Sequence, residues 1–336
     1  MRNNKNIMWV GAIVVVAIIV GIIIGTSGND NNKKTTQATT KMTVGHINLA
    51  NDLPAFVAKE KGYFSNENLD VTLKKLDSSK LATDALYAGS IDASAGSSTV
   101  PLLGAESSQP GKAKIYALGY TGKEEKTTLG GFIVKSDSPF GSVADLAGEK
   151  IAVFPGGTAK ILLTRYLNAQ GVDTSEIQWA DQAPTLWAAS LQSGAVDSVY
   201  AYEPQYTIFK QDQSNPVRVV AFGALENEIS PLYLGGATLS TKFVDAHKDA
   251  AKAYIRAYYK GIDFIKNNES EARQILAKYT GIKSEVTSVM NLYPDAKVGD
   301  IDKAKFQKLA DVLFEDKNIT AKVDTSTMYA DPGLVQ

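Results

Sequence analysis

Four short polar segments carry the side chains best suited to hold a small ligand. In one of them, Gly156, Gly157 and Thr158 precede residues 159–167, where apolar residues recur at helical spacing. Free backbone N–H groups and the positive end of the helix dipole would meet in this loop, where they suit an anion or another hydrogen-bond acceptor. A tight turn capped by Thr158, which needs no ligand, is the alternative.

The other three segments carry donors, acceptors and one carboxylate. Asn51 and Asp52 stand before Pro54, and either side chain can contact a ligand or cap the helix that begins there. Hydroxyl groups fill the third segment, which can also cap a helix, and an aromatic and an acidic residue fill the fourth. These two segments contain Ser97, Ser98, Thr99, Tyr202 and Glu203.

Glu203 is the residue expected to set ligand specificity. A carboxylate in a ligand cleft indicates a cationic or donor group on the ligand, unless a Lys or Arg of the protein neutralises it. A surface glutamate at the turn made by Pro204 is the alternative. Together with the acceptor site at residues 156–158, it indicates a small zwitterion or an anion with donor groups. Trp187 and Tyr120 could stack on such a ligand, although large aromatic residues are more often core.

Residues for catalysis or metal binding are scarce. The chain of 336 residues has no cysteine, and its two histidines are His46 and His247. His46 has no His, Cys or Asp partner at metal-ligand spacing, and phosphate-loop and nucleophile-elbow motifs are absent. We therefore expect no catalytic residue, no metal and no cofactor. Because 35 basic residues balance 36 acidic ones, nucleic acid is not an expected partner.

An internal repeat indicates how the four segments are positioned. Residues 86–94 (LYAGSIDAS) are echoed by residues 191–199 (LQSGAVDSV), and 194 minus 89 gives an offset of 105 residues. The same offset places Asn51 on Gly156. From Met42 onward, strand and helix patterns alternate, which predicts two β-α-β-α-β units with mostly parallel sheet.

The repeat units predict one cleft. In a parallel unit the carboxyl ends of the strands gather at one edge of the sheet, where ligands bind. Each candidate segment follows a predicted strand. If the two units face each other as lobes, the loops at the cleft are residues 51–54, 76–80, 96–99, 154–158, 181–185 and 202–204.

The N-terminal residues predict a membrane anchor. Residues 7–25 (IMWVGAIVVVAIIVGIIIG) carry no charge, and about 20 apolar residues cross a bilayer as a helix. Arg2 and Lys5 precede them, which favours a cytoplasmic N-terminus and an exported remainder. A cleaved signal peptide is the alternative, but the cleavage site at residues 22–27 would be a poor one.

The polar segments, in their order along the chain, resemble the substrate-binding proteins of the nitrate, sulfonate and taurine ABC importers, a group that includes thiamine-precursor binding proteins. The resemblance covers about residues 42–315. The motifs that carry it are Asn51-Asp52-Leu53-Pro54-Ala55 with Glu60-Lys61-Gly62-Tyr63-Phe64, Leu69-Asp70-Val71, Gly89-Ser90-Ile91-Asp92, Asp137-Ser138-Pro139 with Ser142-Val143-Ala144-Asp145-Leu146-Ala147-Gly148, Ile151-Ala152-Val153 with Gly156-Gly157-Thr158, Gly194-Ala195-Val196-Asp197, and Glu203-Pro204.

The resemblance implies a type II periplasmic-binding-protein fold, with two α/β lobes and a cleft between them, preceded here by one transmembrane helix. It implies an extracytoplasmic solute-binding subunit of an ABC importer, which closes by hinge motion on a small organic anion or zwitterion, first of all a sulfonate, and docks on permease subunits. The family contacts ligand through the loop after the first strand, which favours Asn51 ahead of Asp52. We expect a monomer at the cell membrane with its soluble domain outside.

These expectations divide the chain into three parts. Residues 1–27 form a cytoplasmic stub and the transmembrane anchor, residues 28–41 a flexible linker, and residues 42–336 the two-lobed solute-binding domain. The second lobe spans about residues 136–232, and the remainder forms the first lobe and the C-terminal helices.

Other functions remain open on the same scaffold. Thiamine-precursor and aromatic-carboxylate binding proteins share it. The family also has an enzyme branch, the thiamine pyrimidine synthases, but their cysteine-rich iron-binding stretch has no counterpart in this chain. A tethered ligand sensor is a further alternative, which the few residues before the predicted anchor disfavour.

Overall fold

The structure, a computed structural model, describes residues 39–155 and 158–335, with Thr158 described by its backbone. The predicted anchor at residues 7–25, most of the predicted linker, and Gly156 and Gly157 lie outside these residues. Among the residues that are described, no helix has the length and the apolar composition needed to cross a membrane. The anchor therefore stays a prediction.

Alternating strands and helices make up the described part of the chain. The strands are β1 (Thr40–His46), β2 (Leu69–Lys75), β3 (Ala93–Ser98), β4 (Ala113–Thr121), β5 (Gly130–Lys135), β6 (Lys150–Val153), β7 (Gln178–Asp181), β8 (Ser198–Tyr202), β9 (Val217–Phe222), β10 (Leu232–Ser240) and β11 (Asp295–Lys297). The helices are α1 (Leu53–Glu60), α2 (Tyr63–Asn66), α3 (Ser79–Tyr87), α4 (Thr99–Ser108), α5 (Thr158–Ala169), α6 (Pro184–Ser193), α7 (Gln205–Gln211), α8 (Thr241–Ala246), α9 (Lys248–Asn267), α10 (Glu269–Thr280), α11 (Ser284–Thr287), α12 (Lys303–Glu315) and α13 (Pro332–Val335). Short 3-10 helices lie at Ala50–Asp52, Val143–Leu146 and Thr325–Met328.

The strands form two sheets, and each contains one of the predicted repeat units. In the first sheet β1 pairs in parallel with both β2 and β3. In the second sheet β6 pairs in parallel with both β7 and β8. Helices connect these strands in both units, so the two β-α-β-α-β units predicted from the repeat are confirmed.

Both sheets are mixed, which corrects the expectation of mostly parallel sheet. β10 runs antiparallel between β3 and β4, and β5 runs antiparallel between β8 and β9. The neighbour order is β2-β1-β3-β10-β4-β11 in the first sheet and β7-β6-β8-β5-β9 in the second. The local pattern of β10 could not reveal its neighbours, because this strand follows the whole second sheet in the chain. β5 also lies before the predicted lobe boundary at residue 136.

One aspartate in each unit fixes the equivalence of the two sheets. The Thr43 N–H donates to Asp92 Oδ2 at 2.8 Å in the first, and the Lys150 N–H donates to Asp197 Oδ2 at 2.9 Å in the second. The aspartates are 105 residues apart (197 minus 92), but the strand residues that they bind are 107 apart (150 minus 43). The repeat is therefore two residues longer in the first unit (107 minus 105).

This difference corrects the placement of Asn51 on Gly156. With the offset of the first strands, 51 plus 107 gives position 158, where α5 begins. The match between residues 86–94 and 191–199 lies at the end of each unit. It therefore holds no information about a difference in length between the first halves of the two units.

Helix α9 covers one face of the first sheet. Tyr254, Tyr258 and Ile262 recur at helical spacing on its buried side. The Tyr258 hydroxyl donates to the carbonyl of Ala95 in β3 at 2.6 Å, and the hydroxyls of Tyr254 and Tyr116 lie 3.0 Å apart. These contacts pack the apolar side of α9 on the core of the first sheet.

Two connecting segments join the sheets, residues 122–129 between β4 and β5 and residues 223–231 between β9 and β10. Glu226 of the second segment is fully buried, and its carboxylate accepts bonds from the Leu129 N–H at 2.8 Å and the Thr128 hydroxyl at 3.2 Å. The two connecting segments are therefore bonded to each other through buried polar groups. Burial raises the pKa of Glu226.

Candidate functional site

Asn51 lies at the carboxyl edge of the first sheet, in the 3-10 helix that follows β1. This helix packs against two strands at glycines. A Cβ at Gly96 in β3 would collide with the Asn51 carbonyl, and a Cβ at Gly235 in β10 would stand 2.9 Å from Asn51 Nδ2. The half-buried Asn51 amide is thus held over the sheet edge because both strands lack a side chain there. The hydrogen bonds among the described residues include none from this amide.

Asp52 has a structural role in the same turn, and its assignment as a ligand-binding residue stays a prediction. The side chain is fully buried, and Oδ2 accepts bonds from the N–H groups of Ile47 and Leu49, each at 3.1 Å. Burial raises the pKa of Asp52 to about 7, although these N–H groups oppose the shift. The capping alternative therefore describes Asp52.

The hydroxyl segment lies at the junction of β3 and α4 rather than in a loop. Ser97 is buried, with its Oγ 2.6 Å from Ser94 Oγ, and the buried Thr99 hydroxyl donates to the Tyr233 carbonyl at 2.8 Å. Only Ser98 of the three is half-buried, and its Oγ also accepts from the Val100 N–H at 3.4 Å. Ser97 and Thr99 are buried and bonded within the protein, so Ser98 is the most accessible hydroxyl of the three, and the ligand-binding assignment of all three stays a prediction.

An aromatic cluster lies at the carboxyl edge of the second sheet. Phe154 directly follows β6, and its exposed ring lies 6.3 Å from the ring of the half-buried Tyr202, at the end of β8. Burial raises the pKa of Tyr202, so its hydroxyl stays protonated at neutral pH and can donate a hydrogen bond. Trp187 packs edge-on against Tyr202 at 5.8 Å but is fully buried, which places it in the core. Thr158 begins α5 beside this edge.

Glu203 has its carboxylate oxygens bonded within the protein. Oε1 accepts from the Thr207 hydroxyl at 2.9 Å and from the Asn291 N–H at 3.0 Å, and Oε2 accepts from the Thr207 N–H at 3.2 Å. The side chain is half-buried, and burial raises its pKa while these bonds oppose the shift. Glu203 therefore stabilises the start of α7, and its expected role as the partner of a ligand's donor group stays a prediction.

The residues around Asn291 bring the carboxyl ends of the two sheets together. Asn291 binds Glu203 after β8, and the carbonyl of Pro294 accepts from the N–H of Tyr120, near the end of β4, at 3.0 Å. Asp295 follows in the chain, and its carboxyl group lies beside Gly119 of β4. Burial raises the pKa of Asp295, and the negative charge of Asp52 raises it further. Sequence reasoning missed these residues because they follow both repeat units. In the described part of the chain, no group of His, Asp and Glu side chains is arranged to hold a metal ion.

The comparison with protein families matches residues of both repeat units. A family described as NMT1/THI5 like matches residues 50–272. The chain belongs to the NMT1/THI5-like family. An Escherichia coli K12 relative named for aliphatic sulfonate binding is 24% identical over 245 residues, which is 72% of this chain and 73% of the relative. A Bacillus subtilis 168 relative with the same name is 24% identical over 280 residues, covering 81% of this chain and 80% of the relative.

Solved structures show the fold of this NMT1/THI5-like chain. The periplasmic aliphatic sulphonate binding protein of Escherichia coli has a TM-score of 0.71 at 19% identity, covering 87% of this chain and 92% of that chain. A desulfurization enzyme, solved as a cysteine-to-serine mutant with biphenyl-2-sulfinic acid, has a TM-score of 0.67 at 16% identity, covering 88% and 98%. The expected periplasmic-binding-protein fold is therefore confirmed for the described residues.

Proposed function

We propose that this chain is the extracytoplasmic solute-binding subunit of an ABC importer and that it captures a small organic anion, with sulfonates as the first class to test. The observation that carries the proposal is the family match over residues 50–272, which includes residues of both repeat units. Relatives named for aliphatic sulfonate binding align with 72% and 81% of the chain. Its partners would be the small-molecule ligand and the permease subunits of the importer.

The proposed site lies between the carboxyl edges of the two sheets. Asn51 and Ser98 lie at the first edge and Tyr202 at the second, where we propose that the loop of residues 156–158 completes the site. Each supplies hydrogen-bond donors: an amide, a hydroxyl, a phenol, and the N–H groups at the start of α5, a helix of 12 residues. An anionic head group with several acceptor oxygens, such as a sulfonate, matches this set.

Capture would work by hinge closure of the first lobe, around the first sheet, and the second lobe, around the second sheet. The connecting segments at residues 122–129 and 223–231 are the only links between the sheets in the chain order of the described residues, and so they would carry the hinge. A ligand that contacts both edges favours the closed form by its differential affinity for that form. We further propose that the protein acts as a monomer.

Catalysis on the same fold is the second candidate, since the desulfurization enzyme shares it. An enzyme of that kind solved as a cysteine-to-serine mutant points to a cysteine in its site, and this chain has no cysteine. Apart from Glu203, whose carboxylate is bonded within the protein, the half-buried polar side chains named at the proposed edges are an amide, a hydroxyl and a phenol, which suit binding. We therefore propose a binding protein and not an enzyme.

A retained N-terminal anchor at residues 7–25 is part of the proposal. It would hold the binding domain at the outer surface of the cell membrane, which places it beside the permease. Mass spectrometry of the mature protein tests this point, because an intact residue 1 is expected and a mature N-terminus near residue 28 would contradict retention. Recovery in the membrane fraction after a salt wash is the matching expectation.

Ligand binding is tested on the purified full chain by thermal shift with alkanesulfonates, taurine, nitrate and aromatic carboxylates. A ligand present at 100 times its Kd adds about 2.7 kcal/mol of stability. For the ligand found, Asn51→Ala should weaken binding about tenfold, because a hydrogen bond to an anion is lost. Asn66→Ala, at an exposed asparagine of α2, is the control and should bind as wild type. Unchanged affinity of Asn51→Ala would remove Asn51 from the site.

A further inference from the structure

Four residues form one row across the first sheet, near the carboxyl ends of β3 and β4. Gly235 of β10 is paired with Ser98 of β3 on one side and with Gly119 of β4 on the other, and Gly119 is paired with Asp295 of β11. Paired residues of neighbouring strands direct their side chains to the same face of a sheet. Ser98 and Asp295 therefore stand at the two ends of a glycine strip, formed by Gly235 and Gly119.

Two polar side chains lie over this glycine strip. A Cβ at Gly235 would stand 2.9 Å from Asn51 Nδ2, and a Cβ at Gly119 would stand 3.3 Å from Asp295 Oδ1. Larger residues at the two positions would displace both groups. The Asn51 amide and the Asp295 carboxyl group, both half-buried, thus lie over neighbouring positions of one surface.

The Asp295 carboxyl group has no neutralising partner. The ion pairs and side-chain hydrogen bonds among the described residues include none from it. Lys297, on the same strand, pairs with Asp263 at 2.7 Å. The charge of Lys266 also acts on Asp295 and lowers its pKa, but this effect is smaller than the opposite effect of Asp52.

A second carboxyl group without a cationic partner acts on the same region. Asp52 is fully buried, and its Oδ1 has no hydrogen-bond partner among the described residues. Burial and the negative charge of Asp52 together raise the pKa of Asp295 to about 8. Ionised acids of this kind are costly unless a positive charge is near, and they occur often at functional sites. The glycine strip is therefore suited to a positive charge supplied from outside the protein.

We propose that Asp295 contacts the ligand and selects it by accepting hydrogen bonds from a cationic amino group that lies over Gly119 and Gly235. Asn51 contacts the ligand beside this group. The inference rests on the proposed function and narrows it, because the captured anion is then a zwitterion. Its anionic end lies away from Asp295, since like charges repel.

The test is a calorimetric titration of the full chain in lipid nanodiscs with pairs of probes that differ by one amino group. The pairs are β-alanine and propionate, 4-aminobutyrate and butyrate, and taurine and ethanesulfonate, which vary the anionic head and the distance between the charges. In at least one pair the amino member should bind at least tenfold more tightly, because it gains a charge-assisted hydrogen bond to Asp295.

Asp295→Asn assigns this preference to the carboxylate. Asparagine keeps the size of the side chain and removes the charge, so the amino member of the pair should lose most of its advantage. The member without the amino group should bind about as it does to wild type. Asp300→Asn is the matched control, since Asp300 is exposed, follows the same strand and gives the same change in net charge. It should keep the full preference, and thermal melting checks that both variants are folded.

The pH dependence of binding gives a second readout. In the empty protein Asp295 holds a proton below about pH 8 and must release it to accept bonds from an ammonium group. Affinity for the amino probe should therefore rise by up to about tenfold per unit between pH 6 and pH 8 in wild type, and Asp295→Asn should abolish the rise.

The groups around Asp295 are included in this readout. Besides Asp295 itself, the titratable and charged groups in this region are those of Asp52, Tyr258, Lys266 and the ion pair of Asp263 with Lys297. Burial keeps the pKa of Tyr258 well above its usual value, whereas that of Asp52 is about 7. Asp52→Asn should move the rise in affinity to lower pH, because it removes the charge that raises the pKa of Asp295.

Other outcomes would overturn the inference in distinguishable ways. If the probes without an amino group bind as tightly, or if only other ligands of the thermal-shift panel bind, the cationic group is wrong and the proposed function stands. If affinity falls as the pH rises and Asp295→Asn removes that fall, a protonated Asp295 donates to an anion and the ligand class is wrong. A preference that persists in Asp295→Asn would remove Asp295 from the site. If neither these probes nor the panel bind, the proposed function fails together with the inference.

Discussion

The Asp52 carboxyl group makes the stability of the protein depend on pH. Its pKa in the folded protein is raised to about 7 by burial, against about 3.9 in an unfolded chain. The folded state therefore holds this proton more tightly than the unfolded state. Its contribution to stability is full below about pH 3.9 and is lost as the pH rises towards 7. The neighbouring Asp295 carboxyl has its pKa raised as well, partly by the charge of Asp52.

Asp52→Asn should reverse this loss. The amide oxygen can still accept from the N–H groups of Ile47 and Leu49, while the buried charge disappears. At pH 8 the variant should be more stable than wild type by about 1 kcal/mol or more, since one pKa unit corresponds to about 1.4 kcal/mol. At pH 5 the gain should be smaller. Urea unfolding at both pH values measures the difference.

Asp145→Asn is the control for this experiment. Asp145 is an exposed cap whose pKa is lowered by bonds from the backbone of Ser142 and Gly141. Its contribution is present above its unfolded pKa, so the variant should lose the same stability at pH 5 and at pH 8. If Asp52→Asn is destabilised equally at both values, the buried charge has no cost and the argument fails.

A substitution of Glu203 distinguishes a role in stability from a role in ligand binding. Glu203→Ala removes the acceptor for the N–H groups of Thr207 and Asn291, and the unfolding free energy should fall by about 1–3 kcal/mol. Ligand affinity should stay within about twofold of wild type, because both carboxylate oxygens accept bonds from within the protein. Melting curves and calorimetry measure the two effects.

Glu125→Ala is the matched change, since Glu125 makes an exposed ion pair with Lys210 that contributes little. It should alter neither stability nor affinity. A Glu203→Ala protein that melts as wild type but binds ten times more weakly would restore Glu203 as a ligand residue.

The types of side chain at the strand ends were predictable from the sequence. Which of them cap a helix and which are accessible to a ligand was not. Asn51, Asp52, Ser97 and Ser98 all suit both helix caps and ligand contacts. Burial decides between these roles, and burial depends on neighbours such as Gly235 in β10, far along the chain.

At the scale of elements, the connecting segments are joined by Glu226. Its buried carboxylate accepts from the Leu129 N–H and the Thr128 hydroxyl of the other segment. Glu226→Ala should leave the Leu129 N–H without an acceptor and lower the unfolding free energy by about 2–4 kcal/mol. Chemical unfolding measures the loss.

Glu226→Gln is the informative partner variant. Glutamine keeps an oxygen for the Leu129 N–H, so it should recover more than half of the stability that alanine loses. Equal loss in both variants would mean that the charge, rather than the hydrogen bond across the two segments, carries the stabilisation.

The parallel part of each sheet was predictable, because β1 to β3 and β6 to β8 are local in sequence and alternate with helices. The antiparallel strands were not. β10 and β11 pair with β4 from positions far along the chain, and no local pattern states which strand a given segment will join.

At the scale of the whole molecule, hinge closure should change its size. Solution scattering of the full chain in nanodiscs, recorded with the scaffold contrast-matched, should give a smaller radius of gyration when the bound sulfonate is saturating. The control is a sulfonate that gives no thermal shift at the same concentration. An unchanged radius at saturation would contradict closure of two lobes on the ligand.

The position of β10 bears on how the protein is made. This strand belongs between β3 and β4, but it begins 111 residues after β4 ends (232 minus 121). At roughly 5–20 residues per second of synthesis, about 6 to 20 seconds pass before it emerges. The second sheet has all its strands by then, while β3 and β4 still present open edges, the usual sites of wrong pairing. The first sheet is therefore completed last, because β10 and then β11 arrive after every strand of the second sheet, and β3 keeps an open edge until residues 232–240 arrive.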